Sequence, residues 1–295
     1  MDHLLTERIN PASRGIDRRT TTEILDIINA EDRKVAEAVG AEIPRITQAV
    51  DRISEAIRNG GRLFYIGAGT SGRLGVLDAV ECPPTFQVSP QLVQAIIAGG
   101  DAAVCRATEA SEDDPGAGQR DLLARGFNAK DVLVGIAASG RTPYVLGAVS
   151  AARDLGAPTI GIACTPDSEL AHLVEIAIVP LTGPEIIAGS TRMKAGTATK
   201  LVLNMISTAV MIRLGYVFSN LMVNVQPSNR KLEDRARRII METAAVDYDR
   251  AAELLRSAGG NVRVAIIMAR LSLDRMSAQA RLDAAGGRIS EVLGT

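Results

Sequence analysis

The stretch Arg62-Leu63-Phe64-Tyr65-Ile66-Gly67-Ala68-Gly69-Thr70-Ser71-Gly72-Arg73 decides the fold. A short apolar run ends in glycines and hydroxyl residues, and a helix-compatible stretch follows. Such a run, bounded by glycines, reads as a buried strand rather than a helix segment. Similar runs follow at 92–98, 132–138, 159–163 and 175–179, most of them separated by helix-compatible stretches. Short buried strands alternating with helices imply a mostly parallel sheet covered on both faces. The sequence therefore predicts a three-layer α/β/α unit over 60–225.

Upstream, residues 1–20 are polar, contain Pro11 and Gly15, and read as an arm. Thr22 is placed to cap an amphipathic helix running to about Val39. A second helix spans about 43–57, and Asn59-Gly60-Gly61 stops it. Residues 1–59 are thus an N-terminal arm with helices. Downstream, 189–217 reads as one long, largely buried helix that Ser190 and Thr191 can cap. From about Leu232 the strands stop, and helices are expected at 232–243, 249–258, 261–271 and from Ser277. Residues 226–295 form a small helical C-terminal domain, marginal alone but viable when docked.

Composition narrows the function. The chain has 295 residues, with 33 Lys plus Arg against 34 Asp plus Glu, a net charge of −1. That leaves no basic field for nucleic acid or an anionic membrane surface. Four Tyr, four Phe and no Trp make stacking platforms scarce. Cys82, Cys105 and Cys164 lie far apart, as reduced thiols do. His3 and His172 are the only histidines, too small a stock to suggest a catalytic metal. The first residues lack the pattern of a signal peptide. The apolar stretch 201–214 is interrupted by Asn204, Ser207, Thr208 and Arg213, too short and polar to span a bilayer. A cytoplasmic location is expected.

The chemistry lies in two loops, Ile66–Arg73 and Ile136-Ala137-Ala138-Ser139-Gly140-Arg141-Thr142. Each follows a strand and opens a helix. Small residues let backbone N–H groups approach a ligand, hydroxyls donate, and a helix N-terminus favours negative charge. Either loop alone is also an ordinary tight turn. As a pair on one sheet rim they point to a phosphorylated small molecule. Thr70, Ser71, Ser139 and Thr142 are the expected donors, with N–H groups of Gly69 and Gly140. Arg73, Arg141, Arg192 and Lys194 are candidates for balancing the charge. GAGTSG at 67–72 also matches a dinucleotide fingerprint, but that motif needs an acid about 20 residues on, at the end of the second strand. The first acid after the second strand is Asp101, 34 residues past Gly67, and no G-K-[ST] follows the glycines.

Two carboxylates stand out. Glu81 precedes Cys82-Pro83-Pro84 and is expected to end the helix opened by the first loop. Glu112 follows Glu109 at helical spacing in ATEASEDD. Composition and spacing leave both compatible with a solvated surface. The segment GSTRMKAGTATK (189–200) brings Ser190, Thr191 and Lys194 as further candidates for closing over a sugar phosphate.

Three stretches, GAGTSGRLGVLDAVECPPTF (67–86), GIAASGRTPYV (135–145) and GSTRMKAGTATKLVLNMIST (189–208), resemble the N-acetylmuramic acid 6-phosphate etherase family of the sugar isomerase (SIS) superfamily. The resemblance runs from the TERINPAS arm (6–13) into the helical tail. It implies a SIS-type fold and hydrolytic removal of D-lactate from C3 of the muramic acid ring, in cell-wall amino-sugar recycling. No metal or redox cofactor is implied. Matched residue by residue, Glu81 corresponds to the family's proton donor and Glu112 to its second catalytic acid. The implied binding set is Gly69, Thr70, Ser71, Ser139, Gly140, Arg141, Thr142, Ser190, Thr191 and Lys194. The family also implies a homodimer with a shared site. The alternatives on this fold are an aldose–ketose sugar-phosphate isomerase and a non-catalytic sugar-phosphate sensor.

Overall fold

The structure is a computed structural model that describes residues 5–106, 111–225, 227 and 229–294. Three 3₁₀ turns form the arm. The elements that follow are α1 (Thr21–Ala41), α2 (Ile43–Arg58), β1 (Leu63–Gly67), α3 (Gly69–Phe86), β2 (Val93–Ile97), α4 (Ala102–Cys105), α5 (Pro115–Ala124), β3 (Val132–Ile136), α6 (Pro143–Asp154), β4 (Thr159–Ile162), α7 (Glu169–Leu173), β5 (Ile176–Ile178) and α8 (Lys194–Arg213). Then come β6 (Val217–Phe218), β7 (Leu221–Met222), α9 (Arg230–Ala244), α10 (Tyr248–Ser257), α11 (Val262–Leu271), α12 (Arg275–Ala284) and α13 (Ile289–Leu293). The chain divides into two compact units, Met1–Glu81 with Pro90–Ser207, and Cys82–Ser89 with Thr208–Thr295.

The first unit is built on a five-stranded parallel sheet in the order β2-β1-β3-β4-β5. Every residue of β1 and β3 is buried, which is why both read as continuous apolar runs rather than alternating ones. Side chains still alternate by face. Phe64, Ile66 and Leu133 point into a core with Leu122, Val145, Ala148 and Leu170, from α5, α6 and α7. On the other face Gly75 of α3 lies so close to Tyr65 that a Cβ there would be 3.1 Å from the Tyr65 Cβ. Asp78 of α3, 6% exposed, accepts from Tyr65 Oη (2.9 Å), Asn204 Nδ2 (2.6 Å) and Ser207 Oγ (3.1 Å), tying α3 to β1 and α8. Burial raises the Asp78 pKa, and those three donors pull against it.

The first helix starts two residues earlier than the sequence suggests. Thr20 caps it, in a capping box with Glu23 that satisfies two otherwise free N–H groups. α8 is long and apolar enough to span a membrane by composition, contrary to the sequence reading. Its Ala198, Val202, Ile206 and Val210 are at most 0% exposed, which makes it a core helix.

The second unit packs α9–α13 and the β6–β7 hairpin around Ile240, Leu254, Val264 and Ile266. The hairpin escapes a pattern reading because each strand has only two residues. The unit also takes in more of the chain than the helical tail expected from 226.

Candidate active site

Strand order places the site. β1 connects outward to β2, while β3 lies on the other side of β1, so the connections diverge between β1 and β3. In an open parallel sheet, ligands bind at such a switch point, beyond the carboxyl ends of the strands. Gly67 pairs with Ile136 in the register, so both hydroxyl loops leave the sheet side by side.

The first loop is open to an anion. Gly67 and Gly72 approach so closely that a Cβ on either would lie 2.7 Å from backbone atoms of the other. Gly69 has φ +51°, a conformation side chains disfavour. The first intrahelical bond of α3 runs from Gly72 N–H to the Ala68 carbonyl (3.1 Å). The N–H groups of Gly69, Thr70 and Ser71 therefore precede the helix ladder and point out of its N-terminus.

The second loop differs from expectation. Gly140 (φ +66°) donates its N–H to the Ala137 carbonyl at 2.8 Å instead of presenting it to a ligand. Its glycine identity has a steric cause: a Cβ there would lie 2.2 Å from Ser168 Oγ. Pro143 opens α6 without an N–H, and the next donor, Tyr144, bonds the Glu112 carbonyl at 3.0 Å. The contribution left to this loop comes from Ser139 and Thr142, both half-buried, and from the exposed Arg141.

That Tyr144–Glu112 bond fixes Glu112 beside the second loop. Its carboxylate reaches the first: Oε1 lies 3.2 Å from where a Cβ of Gly69 would be. One half-buried residue thus touches both sides of the switch point, with its backbone at Tyr144 and its carboxylate at Gly69. Glu109 lies outside the described residues.

Glu81 is elsewhere. α3 does not stop before Pro83-Pro84 but runs through both to Phe86. The prolines remove two ladder bonds without ending the helix. Twelve residues separate Gly69 from Glu81, about 18 Å at 1.5 Å rise per residue. That exceeds the span of one sugar ring. Glu81 is exposed, next to Leu77 (49% exposed) and Val80 (56%). Within one chain the two carboxylates do not meet.

The third segment also departs from expectation. α8 begins at Lys194, and its cap is Glu185, 1% exposed, whose two oxygens accept from Lys194 N and Ala195 N, both at 2.9 Å. Ser190 and Thr191 lie in the preceding turn, half-buried and not used as caps. Gly196 in the first turn of α8 would place a Cβ 3.6 Å from Thr70 Cγ2, so this segment flanks the first loop. Lys194 itself is 0% exposed, with Nζ 2.7 Å from Glu31 Oε2.

Burial pushes the Glu31 pKa up, but bonds from Lys194, Lys34 and Asn10 outweigh it and hold it at about 2. A depressed carboxyl stabilises the fold above its ordinary pKa and loses that contribution as pH falls from about 4.5 toward 2. Glu31→Gln should therefore flatten the acid limb of stability by about 3 kcal/mol in urea titrations across that window. Parallel acid limbs in both proteins would contradict the pairing.

The arginines divide. Arg73 donates Nε to the Val104 carbonyl and Nη2 to the Arg106 carbonyl, both at 3.0 Å, and so braces the end of α4. Arg141 and Arg192 are exposed. Glu31, Asp78 and Glu185 were missed by sequence reasoning. Only Glu185 carried a local signal, as the sole acid between 180 and 193.

A protein of Serratia proteamaculans named N-acetylmuramic acid 6-phosphate etherase is 51% identical over 290 residues, covering 98% of both chains. The chain belongs to the N-acetylmuramic acid 6-phosphate etherase family. A second member, N-acetylmuramic acid 6-phosphate etherase 2 of Vibrio cholerae, is 51% identical over 97% of this chain and 94% of its own. The family model of the glucokinase regulatory protein N-terminal SIS domain matches residues 45–153, which span α2 to α6 and both loops. Phosphoheptose isomerase from Neisseria gonorrhoeae shares the fold at 21% identity and a TM-score of 0.51, over 65% of this chain and 98% of that one. The etherase family membership covers both units, whereas that structural likeness does not reach the whole chain.

Proposed function

We propose that this protein hydrolyses the D-lactyl ether of N-acetylmuramic acid 6-phosphate, giving N-acetylglucosamine 6-phosphate and D-lactate. The observation that supports it best is Glu112, whose peptide carbonyl holds the start of α6 beside the second loop while its carboxylate lies against Gly69 of the first, at the sheet's switch point.

The phosphate sits on the α3 N-terminus, against the N–H groups of Gly69, Thr70 and Ser71. The hydroxyls of Thr70, Ser71, Ser139 and Thr142 add to it, with Arg141 from the rim and Ser190 and Thr191 from the turn before α8. An alkyl ether is a poor leaving group and gives water no polarised carbon to attack. Ring opening exposes an aldehyde at C1 and acidifies the C2 hydrogen. Glu112 takes that proton, the C3–O bond breaks, and Glu81 protonates the departing lactate oxygen. Water then adds across the C2–C3 double bond, with its hydroxyl going to C3 and a proton returning to C2. General acid–base catalysis of such steps is worth about 10²–10⁴-fold.

Glu81 comes from a second copy of the chain. Its position about 18 Å along α3 from the phosphate loop places it beyond reach in its own subunit. The exposed Leu77 and Val80 beside it suit an apolar contact between copies. Such an enzyme works as a homodimer in the cytoplasm and uses no cofactor.

The direct test is incubation with N-acetylmuramic acid 6-phosphate and an assay for D-lactate. Isomerised sugar phosphate without lactate would point instead to an isomerase, and an unchanged bound sugar to a sensor. Ser139→Ala should raise KM about tenfold, the loss of one hydrogen bond to a charged group. An unchanged KM at full activity removes Ser139 from the site.

A further inference from the structure

A fully buried lysine is costly unless it is paired and hydrogen-bonded. Lys194 is 0% exposed and stands at the start of the helix that flanks the first loop. Its ammonium meets Glu31 Oε2 at 2.7 Å, so it is committed to an ion pair inside the protein. Glu31 is 5% exposed, and its other oxygen takes Lys34. Asn10, from the arm, donates Nδ2 to Glu31 Oε2 (3.0 Å) and to the Pro184 carbonyl (2.9 Å). The arm makes one more bond to the same segment, from Gly189 N–H to the Thr6 carbonyl at 3.0 Å. The turn carrying Ser190 and Thr191 is therefore fixed at both ends, at Gly189 by Thr6 and at Lys194 by Glu31, with Glu185 holding the Lys194 amide.

We propose that the buried Lys194–Glu31–Asn10 network is a clamp through which the N-terminal arm sets the position of the 190–193 turn at the sugar-phosphate site. Lys194 is then a positioning residue, acting through Ser190 and Thr191, and not a phosphate ligand. The clamp rests on the reading of this site as a sugar-phosphate site. Its action on substrate is on binding, because Ser190 and Thr191 hold no proton in the reaction. Removing the arm's bonds loosens the turn without touching either catalytic carboxylate.

The test uses Asn10→Ala, which leaves the Lys194–Glu31 pair intact, and Glu31→Gln, which keeps the shape of the side chain. Hydrogen exchange is followed in peptides covering 186–193 and in peptides of β1 and β3, alongside KM and kcat for N-acetylmuramic acid 6-phosphate. Asn10→Ala should exchange faster at 186–193 alone, and Glu31→Gln, which also gives up the pair's stability, should speed exchange there more than in β1 and β3, with KM raised about tenfold in both. Turnover should stay within about twofold of wild type, the signature of lost binding rather than lost chemistry. Unchanged exchange at 186–193 overturns the clamp. So does faster exchange spread evenly over β1 and β3, which marks general destabilisation, or faster local exchange with wild-type KM. Should the wild-type protein release no lactate from this sugar, the substrate reading fails, while the exchange data still decide whether the arm fixes the turn.

Discussion

An equimolar mixture of Glu81→Gln and Glu112→Gln chains, each inactive alone, should regain about a quarter of wild-type lactate release after subunit exchange. The reason is geometric. Glu112 stands at the first loop, and Glu81 stands about 18 Å away along α3. If each site takes Glu112 from one copy and Glu81 from the other, about half the dimers are mixed, and half the sites in those are intact. Each single variant should lose about 10²–10⁴-fold in lactate release. Deuterium uptake at C2 separates the roles. The Glu81 variant should retain exchange, since that step needs only the base and the aldehyde. The Glu112 variant should lose exchange and release together. A mixture that stays inactive despite proven subunit exchange would place both carboxylates in one chain. Near-normal release by the Glu112 variant would make it a surface acid.

Gly147→Ala should lower the melting temperature by roughly 5–10 °C, the equivalent of about 3 kcal/mol for a unit of this size. α5 and α6 meet backbone to backbone. A Cβ on Gly147 would lie 2.1 Å from the Pro115 carbonyl oxygen, and one on Gly118 would lie 1.9 Å from that of Tyr144. Neither neighbour is a side-chain end that can swing aside, so the helices must part. The same crossing carries the Glu112–Tyr144 bond, so activity should fall with stability. Calorimetry finding Gly147→Ala within about 1 °C of wild type would show that the helices have room to spare.

The sheet was legible because its strands are buried on both sides and end at glycines. Local pattern and tertiary position agree there, as at Phe64–Gly67 and Val132–Ile136. The glycine and hydroxyl loops stood out because small and hydroxyl residues between a strand and a helix are a local feature of the chain. What escaped depends on distance in the chain. Lys194 reads as a candidate for the substrate's phosphate because nothing near it announces Glu31, 163 residues away. Ser190 and Thr191 read as caps because their type suits the role, yet Glu185 folds back to take it. Pro83-Pro84 reads as a stop, but helix geometry already in place carries α3 past two missing N–H groups.

The peptide carbonyl of Glu112 accepts the N–H of Tyr144, a bond that does not depend on the carboxyl group. Cutting the side chain back to alanine keeps that backbone bond and opens a vacancy of one carboxyl beside Gly69, on a half-buried face. Formate added to a Glu112→Ala protein should fill that vacancy and restore part of the lactate release. In Glu112→Gln, where an amide already occupies the space, formate should restore none.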